Sequence, residues 1–506
     1  MSELEPGGPL EHSPVAAEVA VLGPAAEARA GIGAWLAARS LPAWVGLTML
    51  ACGAFVFLRA LGTRTNYDEG VYLSSLAALR EGQALGSEVY TSQPPGFYAV
   101  LQALAAPAGD SIAGIRVAFA LLALAGVVAA MHIAWRLVGP WAGVAAGALV
   151  VIGPPFPTVA PTIAADVPSV ALGLIALAFV LEATRPRSGS WFAVVGGAAY
   201  GLAVATKLLA LPFAAPIVAV VLARRCGRRV LVPAAAGAVT VAAVLAVAHA
   251  SALPEIWAAV VGDHRDAKAL GSYSQNVDWL FRLLDLRTPF GWLAPVGLVC
   301  FLAVPRARKT WPLWTLVPAA WAFLILVRPL ADHHLVLLSA AYGLAAGASI
   351  VAAASALRPQ LRLGVAGALA LFVAAGIFQE QRRLHRNDVP EPAEIEWAAG
   401  AFATTTLPGS VVISDQPIAA FRARRSQPGR LVDVSNTRVS GGTLSADEIL
   451  KVIDEVQPAA VLAARMFRSL PAVMEGLDRR LPAQLSCGDA TLFLLEAPSD
   501  LPLCEV

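Results

Sequence analysis

Eleven apolar runs punctuate the first 378 residues of this chain, at 42–61, 112–135, 141–157, 166–184, 191–206, 208–223, 230–250, 289–304, 311–327, 334–355 and 361–378. A helix that crosses a bilayer needs roughly 17–25 predominantly apolar residues, because every backbone polar group must be satisfied within the segment. Most of these runs meet that length. The stretch 191–223 is a single apolar run with Lys207 in its middle, which reads as two short helices meeting near the lysine. A larger soluble core does not explain so many runs. Hydrophobic residues make up 57% of the chain and charged residues 14%, against about 45–50% and about 25% in soluble domains. The expected fold is therefore a polytopic α-helical membrane protein of about eleven spans. The net charge of +2 gives no electrostatic support to nucleic-acid binding.

Basic residues in short loops stay on the cytoplasmic side. With a cytoplasmic N-terminus and eleven spans, the cytoplasmic connections hold Arg136; Arg185 and Arg187; Arg224 to Arg229; Arg306 to Lys309; and Arg358 with Arg362. The short outward turns near 158–165, 207 and 328–333 carry only Lys207 and Arg328. Residues 1–40, rich in Ala, Glu, Gly and Pro, read as a mobile cytoplasmic tail. Residues 41–378 form the transmembrane domain, with an external loop at 62–111 and a second long outward segment at 251–288.

Residues 379–506 read as a separate extracytoplasmic domain. Val411–Ser414 and Ala459–Ala463 have the character of short buried strands. Ala446–Val456 places Ile449, Leu450, Ile453 and Val456 on one helical face, with Ser445 at the N-cap position. Alternating strands and helices predict a small α/β layer. No pair among the five cysteines has metal-ribbon or redox spacing, and an oxidising compartment would permit a bridge between Cys487 and Cys504.

The charged residues gather at predicted outward helix ends. Asn66-Tyr67-Asp68-Glu69 follows the first span. Adjacent carboxylates at a membrane mouth are costly to desolvate unless they act, one as a base and the other fixing geometry or binding a divalent cation. The structural alternative is that Asp68 caps the helix that follows and Glu69 sits in its first turn. Asp166 opens a later span, as a second acid or an N-cap. Lys207 is an anion ligand or a snorkelling side chain. Arg328 offers a fork of donors suited to phosphate. The turn Asp332-His333-His334 adds polar groups. Neighbouring histidines diverge on one helix, unlike an i, i+4 chelating pair, so no metal site is assigned. Asp263-His264-Arg265-Asp266 reads as a solvated loop or a weaker set of the same kind.

At these residues the sequence resembles the GT-C glycosyltransferases, in the branch of the protein O-mannosyltransferases and the lipid A aminoarabinose transferase. The features that carry the resemblance are Tyr67-Asp68-Glu69, Gln93-Pro94-Pro95-x-Phe97-Tyr98, Ala165-Asp166-Val167-Pro168, Lys207 after a Gly-Leu-Ala run, and Asp332-His333-His334. It spans roughly residues 40–500. The resemblance implies a multi-pass plasma-membrane enzyme of a bacterial cell envelope. Its donor would be a polyprenyl-phosphate sugar and its acceptor an extracytoplasmic glycan, lipid or protein. It further implies Asp68 as general base, Glu69 in support, Asp166 as a second acid, and Lys207 on the donor phosphate. Tyr67, Gln93, Tyr98, Asp332, His333 and His334 are the remaining candidates for substrate contact. The competing reading is a flippase or transporter, which should show mid-membrane polar residues and paired broken helices in two repeats. A scaffold whose external domain binds partners is a third.

Overall fold

The computed structural model describes residues 24–266, 271–386, 391–496 and 504. Most of the expected N-terminal tail lies outside the described residues. Helix α1 (Pro24–Ala60) begins inside that tail, ahead of the apolar segment Pro42–Ala60. The loop at 62–111 contains two helices, α2 (Tyr67–Arg80) and α3 (Pro95–Ala105). Then follow α4 (Ile112–Leu137), α5 (Pro140–Ile152), α6 (Asp166–Ala183), α7 (Trp191–Thr206), α8 (Ala214–Ala223) and α9 (Gly227–Ala248). The segment 251–288 contributes α10 (Tyr273–Leu283). The remaining apolar helices are α11 (Pro289–Ala303), α12 (Leu316–Leu326), α13 (Val336–Ala354) and α14 (Pro359–Arg386).

All eleven apolar runs are thus helical. Six helices among the described residues are long and apolar enough to cross a membrane alone: Pro42–Ala60, Ile112–Leu137, Asp166–Ala183, Gly227–Ala248, Asp332–Ala354 and Pro359–Arg386. The runs at 289–304 and 311–327, expected as separate spans, belong to a pair that meets at 110°, and together they make at most one more. The break falls at Pro305, where a ring without an N–H starts a short 3-10 turn through Thr310. The helices at 140–152, 191–206 and 208–223 are shorter than a full span.

Burial is graded across the bundle. The span that ends in α13 is 94% buried, that of α6 72%, and those of α9 and α14 only 17% and 11%. α13 and α6 are therefore central, while α9 and α14 present apolar side chains outward, as lipid-facing helices do. Small residues set the central crossings. A Cβ on Gly126 of α4 would lie 2.8 Å from the Ala171 Cα of α6, and one on Gly347 of α13 would lie 2.7 Å from the Ala146 Cα of α5. Such close backbone approach replaces the hydrophobic driving force that lipid does not supply.

Beyond α15 (Ala393–Thr405), a four-stranded sheet has the order β1-β2-β4-β3. β1 (Val412–Ser414) runs parallel to β2 (Ala460–Ala463), which pairs antiparallel with β4 (Ala490–Leu494), itself antiparallel to β3 (Ala483–Cys487). A helix at Pro417–Arg422 follows β1, and the β1–β2 crossover contains the helix Ala446–Val456, whose Ser445 N-cap forms a capping box with Glu448. A disulfide joins Cys487 to Cys504. This sheet unit shares a core with the loop at 62–111. Val71, Leu73 and Leu76 of α2 pack in one cluster with Trp397, Phe402, Ile418 and Leu462. Gly70 permits the contact, since a Cβ there would lie 2.9 Å from the Ile418 backbone nitrogen.

Candidate active site

The N-terminus of α2 is capped by Asn66, not by Asp68. The Asn66 side chain accepts from the Glu69 backbone N–H at 2.8 Å, and the Glu69 carboxylate accepts from the Asn66 N–H at 3.1 Å. This reciprocal arrangement satisfies two orphan donors. It displaces the alternative that Asp68 is a capping residue. Asp68 lies one position further in. It is half-buried, and among the described residues it makes no hydrogen bond or ion pair.

Glu69 is fully buried and wholly engaged. Arg116 of α4 donates to both its oxygens, at 2.8 Å and 2.6 Å, and the Ile163 N–H donates at 3.0 Å. The same guanidinium binds the carbonyls of Leu61 and Thr63 at 2.8 Å each. Glu69 therefore ties α2 to the end of α1, to α4 and to the loop before α6. Breaking such a buried pair by removing one partner costs about 3–5 kcal/mol. Arg116 did not figure in the sequence reading because it sits five residues into an apolar run. A lone charge inside a span was the signal for it.

The beginnings of the two most buried spans converge on a second cluster. Asp166 is the first residue of α6, whose N-cap is Ala165, so it is not a cap. Its carboxylate takes two bonds from the Lys207 ammonium, at 2.9 Å and 3.0 Å. Lys207 follows α7 in extended backbone, between the two short helices. His334 places Nε2 3.9 Å from Asp166. Its Nδ1 accepts the Ala331 N–H at 3.2 Å, which leaves Nε2 as the protonated nitrogen facing the acid.

His333 stacks edge-on against His334 with ring centroids 4.5 Å apart. Ligand atoms of Asp166, His333 and His334 lie within 4.8 Å of one another. Reasoning from one helix missed this convergence, since the third member comes from α6. The ammonium of Lys207 already neutralises Asp166, and a divalent ion there would compete with it. Asp332 is exposed and lies 3.8 Å from His333.

A cavity of about 320 Å³ opens beside this cluster, lined by Ser92, Gln93, Lys207, Arg265, Arg328 and His334 on its polar side. Val260, Phe323, Leu326 and Val327 make an apolar wall. The Nε of Arg328 is buried without a hydrogen-bond partner. An orphaned donor of this kind costs about 1–3 kcal/mol or more, and it leaves the Arg328 guanidinium in the cavity wall with unused hydrogen-bonding capacity.

Gln93 connects the cavity to Tyr72, one helical turn beyond Asp68 on α2. Its Nε2 donates to the Tyr72 hydroxyl at 3.0 Å, which leaves that hydroxyl free to donate onward. Burial pushes the Tyr72 phenol well above its usual range, and Asp68, then Tyr98, Asp166 and Asp433, add to the effect. Tyr98 is buried beside Phe97, with ring centroids 5.4 Å apart, and does not line the cavity.

Tyr67 points the site toward the sheet unit. Its hydroxyl accepts from the Val434 N–H at 2.8 Å and reaches Asp433 at 3.4 Å, and Arg465 sits 4.1 Å over its ring. Burial raises the Asp433 carboxyl, with Arg438 opposing the shift and Asp68 adding to it. Arg438 lies 3.7 Å over Tyr90, whose hydroxyl donates to Asp263 at 2.6 Å. Asp433 gave no distinctive sequence signal, since acids are common in a soluble domain.

Residues 92–252 match the sequence profile of the family described as dolichyl-phosphate-mannose-protein mannosyltransferase. In structure the chain is similar to ArnT from Cupriavidus metallidurans in the apo state, with a TM-score of 0.67 at 18% identity, covering 90% of this chain and 98% of that one. The same enzyme bound to undecaprenyl phosphate aligns with a TM-score of 0.66 at 18% identity, over 89% and 98% of the two chains. The archaeal oligosaccharyltransferase AglB from Archaeoglobus fulgidus, in complex with an inhibitory peptide and a dolichol-phosphate, aligns with a TM-score of 0.53 at 11% identity, over 88% of this chain and 72% of that one. No curated protein matches the chain in sequence. The resemblance read from the loop motifs thus extends to the fold over 90% of the chain.

Proposed function

Taking the chain as a membrane protein with the GT-C glycosyltransferase fold, we propose that it transfers a sugar from a polyprenyl-phosphate donor to an extracytoplasmic acceptor, with inversion at the anomeric carbon. The observation that carries this reading is the cavity lined by both Lys207 and Arg328, with an unpartnered Arg328 donor in its wall and apolar residues beside it. A phosphate with a prenyl tail has that chemistry. The similarity to an enzyme whose structure holds undecaprenyl phosphate supports the same donor class.

In the proposed step the acceptor nucleophile attacks the anomeric carbon as the bond from that carbon to the phosphate oxygen breaks. The nucleophile's proton passes to Asp68, and the charge left on the polyprenyl phosphate is held by Lys207 and Arg328. Asp68 suits the base role because no cation neutralises it among the described residues. Glu69 is a positioning residue, held by Arg116. Asp166 orients the Lys207 ammonium, and His334 with Gln93 completes the polar rim. The adjacent acids do not form a cation site in this reading, because Glu69 is spent on Arg116. The acceptor approaches from the side of Asp68 covered by the sheet unit, near Tyr67 and Asp433.

A membrane assay with a panel of prenyl-phosphate sugars tests the donor class. Expected is release of polyprenyl phosphate from one sugar donor, dependent on acceptor-containing membranes. Downhill movement of an intact lipid-linked sugar across the bilayer, with no release, would favour the flippase reading instead.

Orientation is tested separately. In a background lacking Cys52, Cys226 and Cys300, a cysteine replacing Gly227 should be shielded from an impermeant thiol reagent in intact cells. One replacing Ser440 should be labelled. The reverse pattern would put the cavity on the cytoplasmic face. The Cys487–Cys504 bridge supports the outward placement of the sheet unit, as disulfides persist in oxidising compartments.

A further inference from the structure

Helix α10 is amphipathic and lies in the second outward segment, where nothing in its sequence suggests a role in the site. It touches the turn that carries Arg328 at two points. Asn276, 1% exposed, donates its side-chain amide to the carbonyls of Leu324, Ile325 and Val327, at 3.2, 3.1 and 2.6 Å. These carbonyls belong to the end of α12, which otherwise lack intrahelical partners. Asn276 thus closes α12 from another part of the chain and fixes the backbone one residue before Arg328.

Tyr273 stands three positions earlier, on the same face of α10. The Arg328 guanidinium lies 4.1 Å from its ring centroid. Arg328 forms no ion pair among the described residues, and its Nε has no acceptor. The Tyr273 ring face restrains the guanidinium plane. A stacked arginine presents its fork edge-on, in the plane that a phosphate needs for two parallel bonds.

We infer that α10 is part of the donor site, with Asn276 fixing the backbone of the Arg328 turn and Tyr273 acting as a positioning residue that holds the guanidinium in register for the donor phosphate. The inference rests on the assignment of Arg328 to that phosphate. It adds that the arginine is pre-set before the donor arrives, so that less ordering entropy is lost on binding. Tyr273 is not a cavity-lining residue and does not touch the sugar in this account.

The test uses the full-length chain in lipid nanodiscs, with binding of a polyprenyl monophosphate and steady-state kinetics for the sugar donor. Tyr273→Leu should weaken binding and raise KM for the donor roughly two- to thirtyfold, the range of a cation–π contact from exposed to desolvated settings. Its kcat should stay within about twofold of wild type, since the chemical step is untouched. Tyr273→Phe keeps the ring and should restore wild-type values, which a loss due to misfolding would not parallel. In an Arg328→Met background, Tyr273→Leu should add nothing, because the group it positions is gone.

Tyr273→Leu binding as wild type while Arg328→Met binds weakly would overturn the positioning role alone. A loss from Tyr273→Leu that persists in the Arg328→Met background would overturn it too, by showing that the ring acts elsewhere. Unchanged binding in Arg328→Met itself would remove the donor assignment on which both rest.

Discussion

Asp68→Asn should leave the protein folded and able to bind donor while turnover falls roughly 10²–10⁴-fold, the contribution of a positioned general base. The structure makes this a clean substitution. Asp68 is not the cap of α2, and among the described residues it holds no hydrogen bond or ion pair that asparagine would break. The lost interaction of an acid with the first helical turn is worth about 0.3–1 kcal/mol, too little to unfold the chain. Thermal unfolding and donor binding should therefore match wild type, and steady-state product formation should not. Near-normal turnover would exclude Asp68 as the base. Asp166 would not replace it readily, since its carboxylate is already bound by Lys207.

The second large effect is expected at Lys207. Lys207→Met retains the apolar stem but strands Asp166, whose side chain is only 3% exposed. Stranding a buried charge costs about 3–5 kcal/mol, so the single variant should lose stability as well as donor binding. Those two losses are separable. Asp166→Asn combined with Lys207→Met removes the unpaired charge and should recover most of the thermal stability. Donor binding should stay weak, by roughly ten- to a hundredfold, the worth of one charge-assisted hydrogen bond to phosphate. A double variant that is stable and binds a polyprenyl phosphate as tightly as wild type would show that Lys207 serves only to neutralise Asp166.

Much of the architecture was legible because its determinants are local. Apolar runs become helices wherever the bilayer demands internal hydrogen bonding, and Ala446–Val456 forms with the boundaries its periodicity and its Ser445 cap require. What escaped the sequence depends on contacts between distant segments. β3 shows an alternating, half-exposed pattern and turns through Gly488 in a left-handed conformation, so nothing apolar marked it. The fold back at Pro305 was hidden by two good hydrophobic runs on either side.

The same division holds in the site. Charged residues at helix ends announced Asp68, Asp166, Lys207 and Arg328. Their partners did not announce themselves. Arg116 lay inside an apolar run, and Tyr273 and Asn276 looked like ordinary surface residues of an external loop. Tyr72 sits among the apolar residues of 71–79 and carries no signal of its own in the sequence. Spacing along one helix argued against His333 and His334 acting together. Their convergence with Asp166 needed a second helix, which only the tertiary packing supplies.

The shared core between α2 and the sheet unit bears on how chains of this fold diversify. A domain joined by a linker can be exchanged by recombination without disturbing the catalytic half. Here the exchange would uncover Val71, Leu73 and Leu76 and release the hydroxyl of Tyr67, the residue next to Asp68. A chimera with a foreign terminal domain would inherit a mismatched face against its own first loop. Variation in acceptor is then expected to arise by point changes in the loops between β1 and β2, which carry Asp433 and Arg438, while the seam at Gly70 and Ile418 stays constant.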